Sequence, residues 1–453
     1  MKGKITKPQI GYVLYRLARH IDPSIFSYFR YSDEGGSPCI IMPLSEQEQN
    51  KVIWINSIPV LYPCTSMEDS FYRISGNNLI FNHDLFKSVF HLLSGYQEFK
   101  SNAQDEHGRF PYKESLQYKL GIVTRPIVNY YFEIIIEGIE KFCQLNGISF
   151  HRRRPFKNPV FFLSHDIDRV DCHHFYETLY KFKQFFGLEE SSLSRSATLK
   201  SAFSSMYHML SPFSKNNPFW NFDFLRKTES DLGMKSSYYF LEKDKLHVNS
   251  RYRFSDRRIR ELIHHLSSEG HEIGLHGTIQ SATDQASMNR TLSHLQEVSP
   301  TPVTGIRQHY LKFQPSKTSL IQEKAGLTYD SSLGFAEHEG FRNSYCLPFR
   351  LYDFREDRMM DLWEIPLNIM DGTLFYYRKL SFEQMKLSLE QILSEVIKFN
   401  GLFSLLWHNS HFDELEFPGV TEFYIEVIQY INSQIPDSMT GNEIMQNELL
   451  PDR

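Results

Sequence analysis

Two carboxylates two residues apart, Asp166 and Asp168, close the stretch Phe161-Phe162-Leu163-Ser164-His165-Asp166-Ile167-Asp168. The apolar run before them has the length of a strand, and a buried strand ending in ionisable groups delivers those groups to a site. Side chains alternate faces along an extended chain, so the two carboxylates point one way and His165 and Ile167 the other. Like charges held that close raise one another's pKa unless a cation lies between them, so the pair suits a divalent metal or an acid/base couple. A solvated acidic turn at a strand end is the plain alternative for this stretch alone.

The elements that position these residues repeat down the chain. From Pro159 onward, short apolar runs alternate with amphipathic helices, and strands are predicted at Val160 to Ser164, Lys235 to Leu241, His271 to His276, Val303 to Arg307, Leu327 to Asp330, Leu362 to Leu367 and Leu402 to Trp407. Ser255 is placed to cap a helix from Arg257 to Ser268 with Gly270 as its stop, and Ser381 with Gln384 forms a capping box for a helix ending near Asn400. Strand-then-helix repeats imply parallel strands, and about seven of them predict a β/α barrel rather than an open sheet. Chemistry in such a barrel gathers at the C-terminal strand ends. Asp166, Asp168, His276, Arg307 with His309, Asp330, Glu364 and His408 stand there.

Residues 1–150 lie before this pattern and are expected to form a smaller α/β or α+β N-terminal domain, closed by a long helix from Pro126 to Leu145 that Asn146-Gly147 ends. Its polar cluster Asp105, Glu106, His107 and Arg109 is expected to be a loop with ordinary surface chemistry. Residues 171–230 hold more than a crossover needs, and this insertion is placed over the barrel mouth as a lid or a solvated excursion. The net charge of −5, with Lys and Arg scattered, points away from nucleic acid. The basic cluster His151 to Arg154 is expected to be a solvated linker. Five cysteines without C-x-x-C spacing argue against a disulfide framework or zinc knuckle and for a reducing compartment. No signal peptide or transmembrane segment is expected, which places the protein in the cytoplasm.

The order H-D-I-D (165–168), H-E-I-G-L-H (271–276), G-I-R-Q-H (305–309), Y-D-S-S-L (329–333) and L-L-W-H (405–408) resembles the polysaccharide deacetylases, the carbohydrate esterase 4 or NodB-homology group, over roughly residues 155–435. The resemblance implies a distorted (β/α)7 barrel and a metal-dependent hydrolase that removes an N-acetyl group from an amino sugar of a polysaccharide or glycan precursor. It implies Asp166 as catalytic base, Asp168 and His276 as metal ligands, Arg307 as the partner of the base, Asp330 as an orienting acid and His408 as general acid. A divalent metal, zinc by preference, and a carbohydrate substrate follow from it. A backbone N–H near the Arg307 loop is expected to help stabilise the oxyanion.

One departure matters. The resembled pattern has a second metal-binding histidine four residues after the first, and here Gln280 stands there. An amide oxygen is a poorer ligand for a borderline ion. His309, His408 or His411 completes the site, or the ion is held weakly by Asp168, His276 and water, or there is no metal. The last outcome motivates an alternative, a non-catalytic glycan-binding or scaffolding protein on the same barrel; a deacylase of a small non-sugar amide is another. Further expectations are that His264 and His265 are surface residues and that His173 and His174 follow the acidic stretch within possible reach of the metal. Tyr310, Tyr376 and Tyr377 either stack on a sugar or pack in the fold, and Glu364 and Asp371 bracket a strand end.

Overall fold

The computed structural model describes residues 3–31, 36–46, 52–64, 69–172, 175–189, 191, 194–210, 217–243 and 249–449. His173 and His174 lie outside the described residues.

The strand that carries Asp166 and ends one residue before Asp168, β1 (Val160–Ile167), is buried at all eight positions. That is what a strand with helices on its outer face and the packed barrel interior on its inner face requires. It is followed by β2 (Ser236–Leu241), β3 (Glu272–Gly277), β4 (Gly305–Gln308), β5 (Tyr329–Asp330), β6 (Phe349–Asp353), β7 (Arg358–Glu364), β8 (Ile369–Met370), β9 (Leu402–Leu406) and β10 (Asp437–Ser438). The spatial order is β6-β7-β5-β4-β3-β2-β1-β9-β8, with β10 also on β1. All pairings are parallel except β6 with β7. The fold is therefore a curled, incompletely closed β/α barrel preceded by a smaller α/β portion. All seven predicted strand regions are present. β6, β8 and β10 are additional: β6 is an antiparallel edge strand, and β8 and β10 are two residues long, too short to show an apolar period, although β8 leads through the helix Phe382–Lys398 to β9 and pairs with it in parallel.

The helices follow their sequence signals with one change. The helix Phe382–Lys398 starts on the Ser381–Gln384 capping box, and its stripe of Met385, Leu389, Ile392, Leu393 and Val396 is buried. Each such side chain contributes about 1.5–3 kcal/mol by leaving water. The helix Arg257–Ser268 has Asp256 as its N-cap, not Ser255. The insertion contains two packed helices, α1 (Phe175–Phe185) and α2 (Arg195–Leu210), which leave Phe175, Tyr176, Phe203 and Tyr207 exposed. Among the described residues no helix is long and apolar enough to cross a membrane.

The N-terminal portion has a four-stranded sheet, with Ile40–Ile41 between Phe29–Arg30 and Asn78–Phe81 and with Tyr72–Ser75 at the far edge, and a hairpin of Ile53–Ile55 with Ile58–Val60. Its long helix, Ile127–Asn146, ends at Gly147 in the left-handed conformation, φ 64°, where a side chain would be strained. One continuous apolar core joins this portion to the barrel. Phe90 and Tyr12 meet Tyr352 edge-on, at 4.9 and 5.3 Å between centroids. Two ion pairs are buried across the same junction. Arg342 binds Glu98 through two nitrogens, at 2.9 and 2.6 Å, and Arg16 binds Glu448 at 3.0 and 3.3 Å.

A buried ion pair gains little over an apolar pair, but breaking one side strands a charge. Arg16→Ala leaves Glu448 with only Arg19, at 3.4 Å. Urea unfolding is expected to show a loss of about 3 kcal/mol for this variant, against less than about 0.5 kcal/mol for a substitution at an exposed charge such as Glu46.

Candidate active site

The parallel register aligns the C-terminal strand ends, so the groups they carry converge. On β1, His165 faces away from the mouth; it is buried between the Trp407 carbonyl (Nδ1, 2.7 Å) and Glu229 (Nε2, 2.9 Å). Asp166 and Asp168 share the other side. Asp166 Oδ1 accepts from Arg307 Nη1 at 2.9 Å. Arg307 is fully buried, with Nη1 also on Ser164 Oγ and Nε and Nη2 on the carbonyl and hydroxyl of Ser331. Its guanidinium lies 4.6 Å from the centre of the Tyr239 ring. Four of its five N–H groups are engaged in this way, which holds the charge against Asp166.

Asp168 meets two imidazoles. His276 Nε2 is 3.2 Å and His309 Nδ1 3.4 Å from Asp168 Oδ1, and the two nitrogens are 3.2 Å apart. Burial would raise the Asp168 carboxyl, but the His309 and His276 rings outweigh it and hold it well below the usual carboxylate range. Asp168 Oδ1 is buried and accepts no hydrogen bond of acceptable geometry. His276 Nδ1 lies 2.9 Å from the Arg307 carbonyl. A carbonyl only accepts, so Nδ1 carries a proton and Nε2 is the nitrogen that faces the cluster. Four ligands at 2.0–2.2 Å in a tetrahedron stand about 3.3–3.6 Å apart. The three atoms are already near that spacing, and an orphaned carboxylate oxygen among them suits a divalent ion of the zinc type.

His408 stands on the far side, with Nε2 3.7 Å from Asp168 Oδ2. Its Nδ1 lies 2.7 Å from Asp371 Oδ1, and its backbone N–H donates to Oδ2 at 2.6 Å. His411 Nδ1 reaches the same Oδ2 at 2.6 Å. Burial disfavours charge on His408, yet Asp371, then Asp168 and Asp166, overcome it and push the imidazole up to about 9. Asp371, His408 and His411 also lie close enough together to hold an ion. There, however, the carboxylate oxygens receive the Nδ1 protons, so the lone pairs a metal needs are spent.

Several expectations change. Asp330 does not join the cluster: its oxygens accept from the Ser332 N–H (2.7 Å), the Ser332 hydroxyl (2.9 Å) and Gln322 (2.7 Å). The acid on His408 is Asp371. Gln280 accepts from Asn249 Nδ2 at 3.1 Å, outside the cluster. His411 sits on Asp371, and of the candidate third ligands only His309 is beside Asp168 and His276. Glu364, in register with Asp330, is pushed well above the usual carboxylate range by burial and by that neighbour, and its Oε1 accepts from the Leu333 N–H. It is a structural carboxyl group. Tyr310, Tyr376 and Tyr377 are 37–44 % exposed near the mouth. The turn at 105–109 is not a remote surface loop, since it reaches Tyr310 and Tyr377. His264 and His265 are exposed.

A family model described as a family of unknown function, DUF7033, matches residues 26–144. No curated protein matches the chain. Solved structures that match include a protein from Mycobacterium smegmatis named as a polysaccharide deacetylase, at 16% identity and TM-score 0.40, covering 66% of this chain and 93% of that one. The peptidoglycan deacetylase PdaC from Bacillus subtilis matches at 10% identity and TM-score 0.30, covering 65% and 93%. A CE4 family pseudoenzyme from Bacillus anthracis matches at 8% identity and TM-score 0.31, covering 66% and 71%. Likenesses this distant assign no role to any residue.

The carboxyl pair gives a structural test. Because Glu364 is held in its protonated form, Glu364→Gln keeps its charge state and is expected to change stability by less than about 1.5 kcal/mol. Asp330→Ala frees the Ser332 N–H and hydroxyl and Gln322, and is expected to cost about 3 kcal/mol in denaturant unfolding.

Proposed function

We propose that the chain is a metal-dependent hydrolase that removes an N-acetyl group from an amino sugar of a glycan or glycan precursor. The observation that carries the reading is the convergence at one barrel end of Asp168, His276 and His309 beside an arginine-paired carboxylate, Asp166, and an aspartate-paired histidine, His408. Asp168, His276 and His309 would hold the ion, with His309 in place of the histidine that Gln280 replaces. A zinc-type ion, when bound, supplies a water of lowered pKa and polarises the amide carbonyl.

The side chains divide the proton work. Asp166, paired with Arg307, takes the proton of the attacking water as its oxygen bonds to the carbonyl carbon. His408, charged near neutral pH because Asp371 faces it, gives its proton to the sugar nitrogen as the C–N bond breaks, so acetate and a free amine leave. Asp371 takes no part in bond making; it sets the charge and aim of His408. The missing histidine motivates a non-catalytic glycan-binding reading; His309 beside Asp168 and His276 favours the hydrolase over it. The carbohydrate substrate is supported by Tyr376 and Tyr377, exposed at the mouth, whose rings suit a sugar face. A cytoplasmic setting is supported by five free cysteines.

Zinc-loaded protein is expected to release acetate from N-acetylated amino-sugar oligosaccharides, with kcat down by about 10²–10⁴ in Asp166→Asn and in His408→Gln. Protein with bound zinc that releases no acetate across such a panel would overturn the reading. The rate requires His408 protonated, so activity is expected to fall as pH rises through about 9. In Asp371→Asn the main attractive charge is gone, and this alkaline limb is expected to move down by about 1–3 pH units, measured from kcat/KM against pH.

A further inference from the structure

Residues 105–109 come from the N-terminal portion, inside the stretch matched by the family of unknown function, yet they end at the barrel mouth. Asp105 makes the turn stiff. Its Oδ1 accepts from the N–H groups of His107 (3.0 Å) and Arg109 (2.8 Å), its own N–H donates to the Arg109 carbonyl at 2.9 Å, and its Oδ2 accepts from Arg109 Nε at 2.6 Å. The guanidinium is thereby aimed. Nη1 donates to the Tyr310 carbonyl at 3.1 Å and Nη2 to the Tyr377 hydroxyl at 3.2 Å. His107 lays its ring on Tyr310, with centroids 4.5 Å apart and planes within 8°.

Tyr310 directly follows His309, and the two rings are 4.2 Å apart. Tyr310 and Leu311 both adopt positive φ, 59° and 54°, a conformation that residues with side chains rarely take without support. From the described contacts, that support comes from the 105–109 turn: a charged donor on the Tyr310 carbonyl and an aromatic plate over its ring. Arg109 also joins two separate parts of the mouth, the segment after β4 and the helical turn Thr373–Tyr377 that follows Asp371.

We propose that Arg109 and His107 are positioning residues for His309, so that the N-terminal portion completes the metal cluster of the barrel instead of acting as a separate module. The inference rests on the metal reading given above. Groups that orient a ligand set its affinity for the ion, and losing them costs about 10–100-fold.

The test is cobalt(II) titration, followed by absorbance, of the full chain and the variants Arg109→Ala, Arg109→Lys and His107→Ala, with the melting temperature of each metal-free protein. Arg109→Ala is expected to raise the cobalt Kd at least about tenfold, and His107→Ala, which loses one stacked ring, about 2–10-fold. Arg109→Lys, able to reach one acceptor instead of two, is expected to fall between wild type and Arg109→Ala. A purely structural role would lower melting temperature and leave cobalt affinity of the folded protein unchanged. If Arg109→Ala does not fold, His107→Ala decides, because its side chain is partly exposed and bears no buried charge. Cobalt bound by wild type with equal affinity in both alanine variants would overturn this inference alone. Wild type that binds no cobalt would overturn the metal reading, and this inference with it.

Discussion

Two carboxylates leave the same face of one fully buried strand two residues apart, and the surrounding structure is arranged to make that tolerable. Asp166 is paired with a buried arginine that Ser164, Ser331 and the face of Tyr239 hold in place. Asp168 instead meets histidines, which can give way to an ion. One carboxylate is thus committed to a permanent cation and the other to an exchangeable one. In the proposed reaction that difference separates a base from a ligand although the two side chains are chemically identical.

The parallel sheet makes the arrangement inexpensive to build. Register places Arg307 beside His276 and Leu405 beside Leu163, so the strand ends lie at one level and short loops bring His309 and His408 in from opposite sides. Ser331, next to Asp330 in the chain, holds the far side of Arg307, and Asp371 forms a wall behind His408. Acidic and basic side chains alternate across the mouth: Arg307, Asp166, His276, Asp168, His408, Asp371. The alternation holds the Asp168 and Asp371 carboxyls below the usual carboxylate range and the His408 imidazole above its own.

Much of the barrel was legible in the sequence because its strands are apolar runs bounded by caps and glycines. Val160–Ile167 and Leu402–Leu406 needed no long-range information. β8, two residues long, carries no period at all, and for that reason Asp371, which follows it, could not be ranked above Asp330 as the partner of His408. Position at a strand end shows that a side chain is near the mouth, not which way it turns, and Asp330 turns to Ser332 and Gln322. His309 was one of several candidates to complete the cluster. Its spacing of two from Arg307 gives the same face, but only the turn after β4 decides that it comes to Asp168. The link between Arg109 and Tyr310 spans 201 residues and leaves no local signal.

The central claim is that an ion belongs to Asp168, His276 and His309. Anomalous diffraction at the zinc edge from crystals grown with stoichiometric zinc tests it most directly. The account predicts one strong peak about 2.0–2.2 Å from Asp168 Oδ1, His276 Nε2 and His309 Nδ1. A peak on Asp371, His408 and His411 instead, or none at either cluster, would contradict it.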